Sequence, residues 1–341
     1  MNPMTGVYGR LRVAIRREPL LPVLVVLLLA LAGMYQGFAT VANFRNIAIQ
    51  ASPLIVAAVG MTYVIMTAGI DLSVGSMLFL AAAIESSQAV IGEPTAVVFA
   101  VICGTGVLMG LLNGLAVAFT RVPALIVTLA TMQVFRGAGG HITGQQNIDL
   151  PANLRGIGTG SLLGVPTPVL LATAVALGGA FVFSRTTFGR YVQAVGSNLD
   201  AAVNAGLPVR RVLVGAYALA GLLAAVASLT QTARLGAVQP SIGQGFELTV
   251  ITAVVLGGTS LFGGRGSIGG TVLGALILTT VQTGLVFSGA SPYVFDIVRG
   301  GVLLAAVLAT GARRRNLARA VRATGRRRPS RGKRYGGVTS A

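Results

Sequence analysis

Apolar windows about 20 residues long recur almost end to end along this chain, near 20–40, 45–68, 74–92, 95–119, 123–140, 165–184, 211–232, 246–261, 267–288 and 293–311. A run of that length, coiled as an α-helix, matches the hydrocarbon thickness of a bilayer, and the helix satisfies every backbone N–H and C=O within itself. The pattern predicts an all-α polytopic transmembrane bundle of about ten spans. Charged residues make up only 10% of the chain and hydrophobic ones 54%, against roughly 25% charged in a soluble domain. No water-soluble fold hides that much apolar surface. The first window follows a basic start, as a signal peptide would, but it is long enough to span and no small-residue cleavage site follows it.

The net charge of +18 is not spread evenly. Arg10, Arg12, Arg16 and Arg17 precede the first window, and eleven Lys/Arg with no acid lie between Arg313 and Arg334. Most other basic residues fall in connections on the same predicted side, at Arg121, across 185–211 and at Arg265, while Arg45, Arg155 and Arg234 fall on the other. The positive-inside bias therefore places both termini in the cytoplasm, which an even number of crossings also requires. We expect a basic cytoplasmic N-terminus over 1–18, a transmembrane domain over 19–311, and a disordered cytoplasmic tail over 312–341 that touches anionic membrane lipid. This placement argues against a nucleic-acid partner.

Cys103 and His141 are each the single residue of their kind, so an internal disulfide and a cysteine or histidine metal cluster are excluded, and a lone histidine argues against a histidine relay. The eight acids are scattered and form no catalytic set, so neither an enzyme nor a cofactor site is expected. The glycine-rich stretch Gly257–Gly270 has no Gly-Lys-Ser/Thr ending, and Lys333 is the only lysine, so the chain builds no Walker-type ATP site. That stretch reads as a tight turn letting two helices meet. Glycines within spans, such as Gly104, Gly106, Gly110 and Gly114, read as packing positions.

Polar side chains inside apolar windows are the candidates for a solute path. Asp71 and Ser73 stand just before the third window, where they either cap the free N–H groups of a helix start or line a polar cavity. Arg136 follows Thr128, Thr131 and Gln133 on the fifth window, and either faces the path or satisfies itself by snorkelling or ion pairing. Asn113 and Gln282 also need interior partners, whereas Asp296 and Arg299, three apart, should pair with each other. An ion-coupled secondary transporter would use membrane carboxylates such as Asp71, but few exist here.

The connection over 187–208 is too polar to span. Asn198 can cap a short helix beginning at Leu199-Asp200-Ala201-Ala202 and ending at Gly206, before Pro208. This segment resembles the coupling segment of the ribose-type sugar permeases of bacterial ABC importers. Three further blocks carry the same resemblance in matching order: Gly69-Ile-Asp-Leu-Ser-Val-Gly75, Pro123-Ala-Leu-Ile-Val-Thr-Leu-Ala130 with Phe135-Arg-Gly137, and Gly257-Gly-Thr-Ser-Leu-Phe-Gly-Gly-Arg-Gly-Ser-Ile-Gly-Gly270. Departures are Ala68 and Ala130, where the family pattern has glycine, and a longer basic tail. The resemblance implies a permease subunit importing a small polar solute such as ribose or a related monosaccharide. It implies as partners a cytoplasmic ABC ATPase, an extracytoplasmic solute-binding protein and a second permease subunit. It also implies that Gly189, Arg190, Gly196, Asn198, Asp200, Ala201, Ala202 and Gly206 belong to the segment that engages the ATPase.

Overall fold

In the computed structural model, residues 20–87 and 90–325 are described. The expected N-terminal segment 1–18 and the tail from 326 lie outside them. The chain forms α1 (Leu20–Met34), α2 (Val41–Met66), α3 (Val74–Glu85), α4 (Thr95–Phe119), α5 (Ala124–Thr143), α6 (Ala152–Thr159), α7 (Thr167–Arg185), α8 (Thr187–Ser197), α9 (Leu199–Asn204), α10 (Val209–Leu235), α11 (Phe246–Leu256), α12 (Ile268–Phe287) and α13 (Pro292–Gly325). Four two-residue strands, β1 (Ile148–Asp149), β2 (Ser161–Leu162), β3 (Val165–Pro166) and β4 (Ala237–Val238), pair antiparallel as β1 with β4 and β2 with β3. Each of the ten apolar windows contains a helix. Among the described residues α2, α4, α7, α10 and α12 are long and apolar enough to cross a membrane, so the chain is an all-α polytopic membrane bundle. The last helix continues through Gly325, into the segment expected to be disordered. Its Ala, Leu and Arg content there favours helix more than the charge pattern suggested.

α10 is the central helix, packed along α4 on one side and α2 on another. Water cannot drive apolar association inside a bilayer, so close backbone approach does. A Cβ built on Gly221 of α10 would lie 2.7 Å from the Gly110 nitrogen and 2.8 Å from its Cα, and Gly106 meets the Gly221 carbonyl from the other direction. On the α2 side, a Cβ on Gly60 would lie 2.9 Å from the Ala220 Cα. Polar bonds add to this frame. The Thr62 and Thr271 hydroxyls meet at 2.9 Å between α2 and α12, and the Tyr63 hydroxyl donates to the Gly179 carbonyl of α7 at 2.5 Å. Glu85, fully buried at the end of α3, accepts from Ser228 and Thr232 of α10.

Three helices are well short of the windows that contain them, α1 with 15 residues and, more markedly, α3 and α11. α3 has 12 residues and α11 has 11, about 16–18 Å at 1.5 Å per residue, against a hydrocarbon core of about 30 Å. The remainder of each window is turn and loop. α11 is bounded by Gly245 in the left-handed region before it and by the Gly257–Gly258 turn after it.

Helix ends follow one repeated design. At the ends of α9, α11 and α12, a left-handed glycine at Gly206, Gly258 or Gly289 is followed by a residue whose N–H bonds back to the carbonyl five residues earlier. This double-bonded arrangement closes the last turn. α2 ends identically: Ala68 N–H donates to Ile65 at 2.9 Å and Gly69 N–H to Val64 at 3.1 Å, yet the left-handed position is Ala68 with φ 63°. A non-glycine residue there costs about 1–2 kcal/mol.

Two thermal-melt predictions in detergent follow. Ala68→Gly relieves that backbone strain and raises stability by about 1 kcal/mol. Gly221→Val overpacks the α4–α10 contact and lowers stability by about 1–3 kcal/mol, whereas Gly104→Val, with open space at its Cβ position, leaves the melting temperature near that of the native chain.

Candidate functional site

Alternation of the helices gathers the connections into two ends. At the basic end, Arg210 of α10 lies over the Phe119 ring at the end of α4, and Gly264 N–H donates to Met66 at 2.9 Å, joining the glycine-rich connection to the end of α2. At the opposite end, β1 pairs with β4, and Leu150 N–H donates to Gly236.

A cavity of about 350 Å³ lies where α10 gives way to α11, within the roughly 300–1,000 Å³ range of small-molecule sites. Its wall is drawn from five parts of the chain: Gln50, Pro53 and Leu54 of α2; Gln231, Arg234 and Leu235 of α10; Gln239, Ser241, Ile242, Gly243 and Gln244 of the connection; Phe246 and Thr249 of α11; and Thr279, Gln282, Phe295 and Arg299 of α12 and α13. The five glutamine side chains have no hydrogen-bond partner among the described residues. Each amide offers two donors and a carbonyl acceptor. No carboxylate lines the wall. Such a surface suits a compact solute rich in hydroxyl groups, which donate and accept in turn.

The connection 239–245 is non-helical, and α11 begins only about half a membrane thickness from the basic end. Backbone without helix at such depth persists where its polar groups are bonded or wetted by a cavity. Two arginines supply bonds. Arg136 of α5 donates to the Ile242 carbonyl at 2.8 Å and stacks over Phe79, 4.7 Å from the ring centre. Arg299 of α13 donates to the Gly245 carbonyl at 3.0 Å and to the Thr249 hydroxyl at 2.7 Å, while pairing with Asp296 at 2.9 Å. The expected Asp296–Arg299 pair is present, but the same guanidinium also holds the connection.

The sequence-derived path residues separate into several groups. Gln282 lines the cavity, and Arg136 anchors its wall. Asp71, Ser73 and Asn113 form a fully buried cluster elsewhere. Asp71 accepts from the Ser73 N–H at 2.8 Å and its hydroxyl at 2.6 Å, and Asn113 donates to the Ser73 hydroxyl at 2.8 Å. These bonds brace the turn before α3 against α4, and no side chain caps the start of α3 at Ser73. Thr128 donates to the Ile70 carbonyl at 3.2 Å, tying α5 to the same turn. Thr131 bonds its own helix, and Gln133 is exposed. None of these last six residues lines the cavity.

Of the cavity residues that sequence reading missed, Gln50 and Gln231 stand alone in apolar helices, and Gln239 and Gln244 belong to a short connection. A search for amide side chains shared between windows would have raised all of them.

At the basic end, α8 and α9 make a short bracket. Asn198 caps α9 as expected, its Oδ1 accepting from Ala201 N–H at 2.9 Å, and the helix ends at Asn204, before Gly206. Arg190, Asn198, Asp200, Ala201 and Gly206 are exposed, along with the apolar Leu199 and Val203. Gly189, Gly196 and Ala202 are buried instead and face the bundle. A Cβ on Gly196 would collide with the Met66 carbonyl.

Residues 43–307 match the family described as branched-chain amino acid transport system / permease component. The chain is 42% identical over 290 residues to the ribose import permease protein RbsC of Escherichia coli (strain K12), covering 84% of this chain and 90% of that protein. It is 39% identical over 293 residues to RbsC of Bacillus subtilis (strain 168), covering 84% and 89%. It is 35% identical over 336 aligned residues to the xylose transport system permease protein XylH of Escherichia coli (strain K12), covering 80% and 86%. No solved structure matches significantly.

Replacing Arg136 by Met keeps the bulk and removes the donor to Ile242. Hydrogen exchange should then rise at least about tenfold at the Gln244 and Phe246 amides, which bond within the connection, while the amides of α10 keep their protection.

Proposed function

The chain belongs to the branched-chain amino acid transport system / permease component family, and on that premise we propose that its glutamine-lined cavity carries a monosaccharide such as ribose across the membrane. The protein is the membrane permease subunit of a sugar-importing ABC transporter, working with a separate ATPase, and a multi-pass protein of the bacterial inner membrane. It is a transport subunit and not an enzyme. Family membership implies the usual importer partners: the ATPase, a solute-binding protein and a second permease subunit.

One observation carries the reading of the cavity: five glutamine amides without side-chain partners among the described residues line a single space of about 350 Å³. Gln50 and Gln231 are half-buried and Gln239, Gln244 and Gln282 exposed, so their amides are open to water or to a polar solute that takes its place. A branched-chain amino acid, the solute in the family's description, would bring an ammonium group and an aliphatic side chain. The wall offers no carboxylate for the first and mostly polar surface for the second. Sugar hydroxyls suit it better, as the ribose and xylose permeases among the relatives also favour.

In this reading the chain crosses the membrane ten times, with both termini and the basic end in the cytoplasm. The clustering of Arg121, Arg185, Arg190, Arg210, Arg211 and Arg265 at one end supports that orientation. The solute enters from the opposite end, and the ATPase receives the α8–α9 bracket. Arg190, Asn198, Asp200, Ala201 and Gly206 form the contact surface, with Leu199 and Val203 as its apolar centre. Gly189, Gly196 and Ala202 support it from behind. ATPase closure presses on the bracket, which bears on the end of α2, and α2 carries Gln50, Pro53 and Leu54 in the cavity wall. The bundle thereby exchanges one opening for the other.

Uptake of labelled pentoses and hexoses by vesicles holding the permease, its ATPase and its binding protein tests the reading. ATP-dependent accumulation of one sugar is expected, whereas accumulation driven by an ion gradient alone would overturn it in favour of a secondary transporter. Val203→Asp and Asp200→Lys should each reduce co-purification of the ATPase at least about fivefold, without altering membrane insertion.

A further inference from the structure

Five arginines at the cavity end of the bundle differ in how their charge is used. Arg45, near the start of α2, does not line the cavity. Arg136, Arg155 and Arg299 each donate to a backbone carbonyl, those of Ile242, Leu150 and Gly245. Arg234 donates to none and has no ion-pair partner among the described residues. It lies in the last turn of α10, three residues after Gln231, and both side chains line the cavity. The opposite face of that turn is committed, because Thr232 bonds Glu85. Asp296, the nearest acid to the wall's other arginine, is held by Arg299 at 2.9 Å.

A guanidinium is always charged and carries its donors in a planar fork that pairs with two adjacent oxygens. A solute filling the cavity strips water from this group and must supply acceptors in return, or the charge is left uncompensated. We propose that Arg234 is a specificity-determining contact of the permease, its fork donating to two neighbouring oxygen atoms of the polyhydroxyl solute. The inference rests on the cavity being the solute path. It also sets a boundary on cargo. With Arg234 and Arg299 on the wall and no carboxylate, the site admits neutral or anionic polyhydroxyl compounds and turns away cationic ones such as amino sugars.

The test uses the full chain reconstituted in vesicles with its ATPase and solute-binding protein, reading both labelled sugar accumulated and ATP hydrolysed. Arg234→Gln should lower the sugar accumulated per ATP at least about tenfold, while hydrolysis in response to the loaded binding protein stays within about twofold of the native complex. Arg234→Lys keeps the charge without the fork and should recover only a minor part. If the native complex transports and Arg234→Gln keeps the same sugar-to-ATP ratio, the assignment of Arg234 fails alone. A parallel fall in uptake and hydrolysis also overturns it, since it marks a structural role. A native complex that accumulates no sugar of the pentose and hexose panel overturns the reading of the cavity, and this inference with it.

Discussion

Backbone that leaves the helix inside a bilayer must find hydrogen-bond partners there, and the connection between α10 and α11 finds them in two arginines. Arg136 and Arg299 reach from helices on different sides to hold the Ile242 and Gly245 carbonyls. Without such donors the chain would have to continue as helix through this level. α10 and α11 would then close the space that their separation now leaves open. The cavity, its glutamines and the short α11 are all consequences of that bonded interruption.

The same economy governs the helix contacts. Where α4 and α2 meet α10, backbone lies on backbone, and the glycines at 60, 106, 110 and 221 leave no side chain to yield between them. Polar residues appear at the seams with partners already chosen, as in Thr62 with Thr271 and Glu85 with Ser228 and Thr232. The Asp71–Ser73–Asn113 cluster also sits at a seam, with Asn113 Oδ1 left without a partner among the described residues. It fixes where α3 starts, and Thr128 fixes the turn before it.

The helices were legible in the sequence because hydropathy is a local property, and each window holds one. The Asn198 cap and the Gly206 stop were legible for the same reason, since both depend on residues within a turn or two. Shortness of α3 and α11 was not, because apolar residues continue beyond the helix ends and hydropathy cannot tell helix from buried turn. The cavity was least legible. Gln50, Gln231, Gln244 and Gln282 come from separate elements, and each alone reads as an isolated polar residue. Polar residues in apolar windows include Arg136 and Gln282, at the cavity, and also Asp71 and Thr128, both of which bond around the turn before α3. Exposure separates the bracket residues in a similar way: Asp200 and Ala202 are two apart, yet one faces outward and the other into the bundle.

The cavity glutamine side chains make no hydrogen bonds among the described residues, whereas the packing glycines hold the helices together. A change at Gln231 or Gln282 thus leaves the scaffold's contacts intact, while a single added methyl at Gly221 or Gly196 disturbs helix placement whatever the cargo. Selection for a new solute and selection for a sound frame fall on different residues, so the cargo of such a permease can drift by substitutions that are nearly silent in folding.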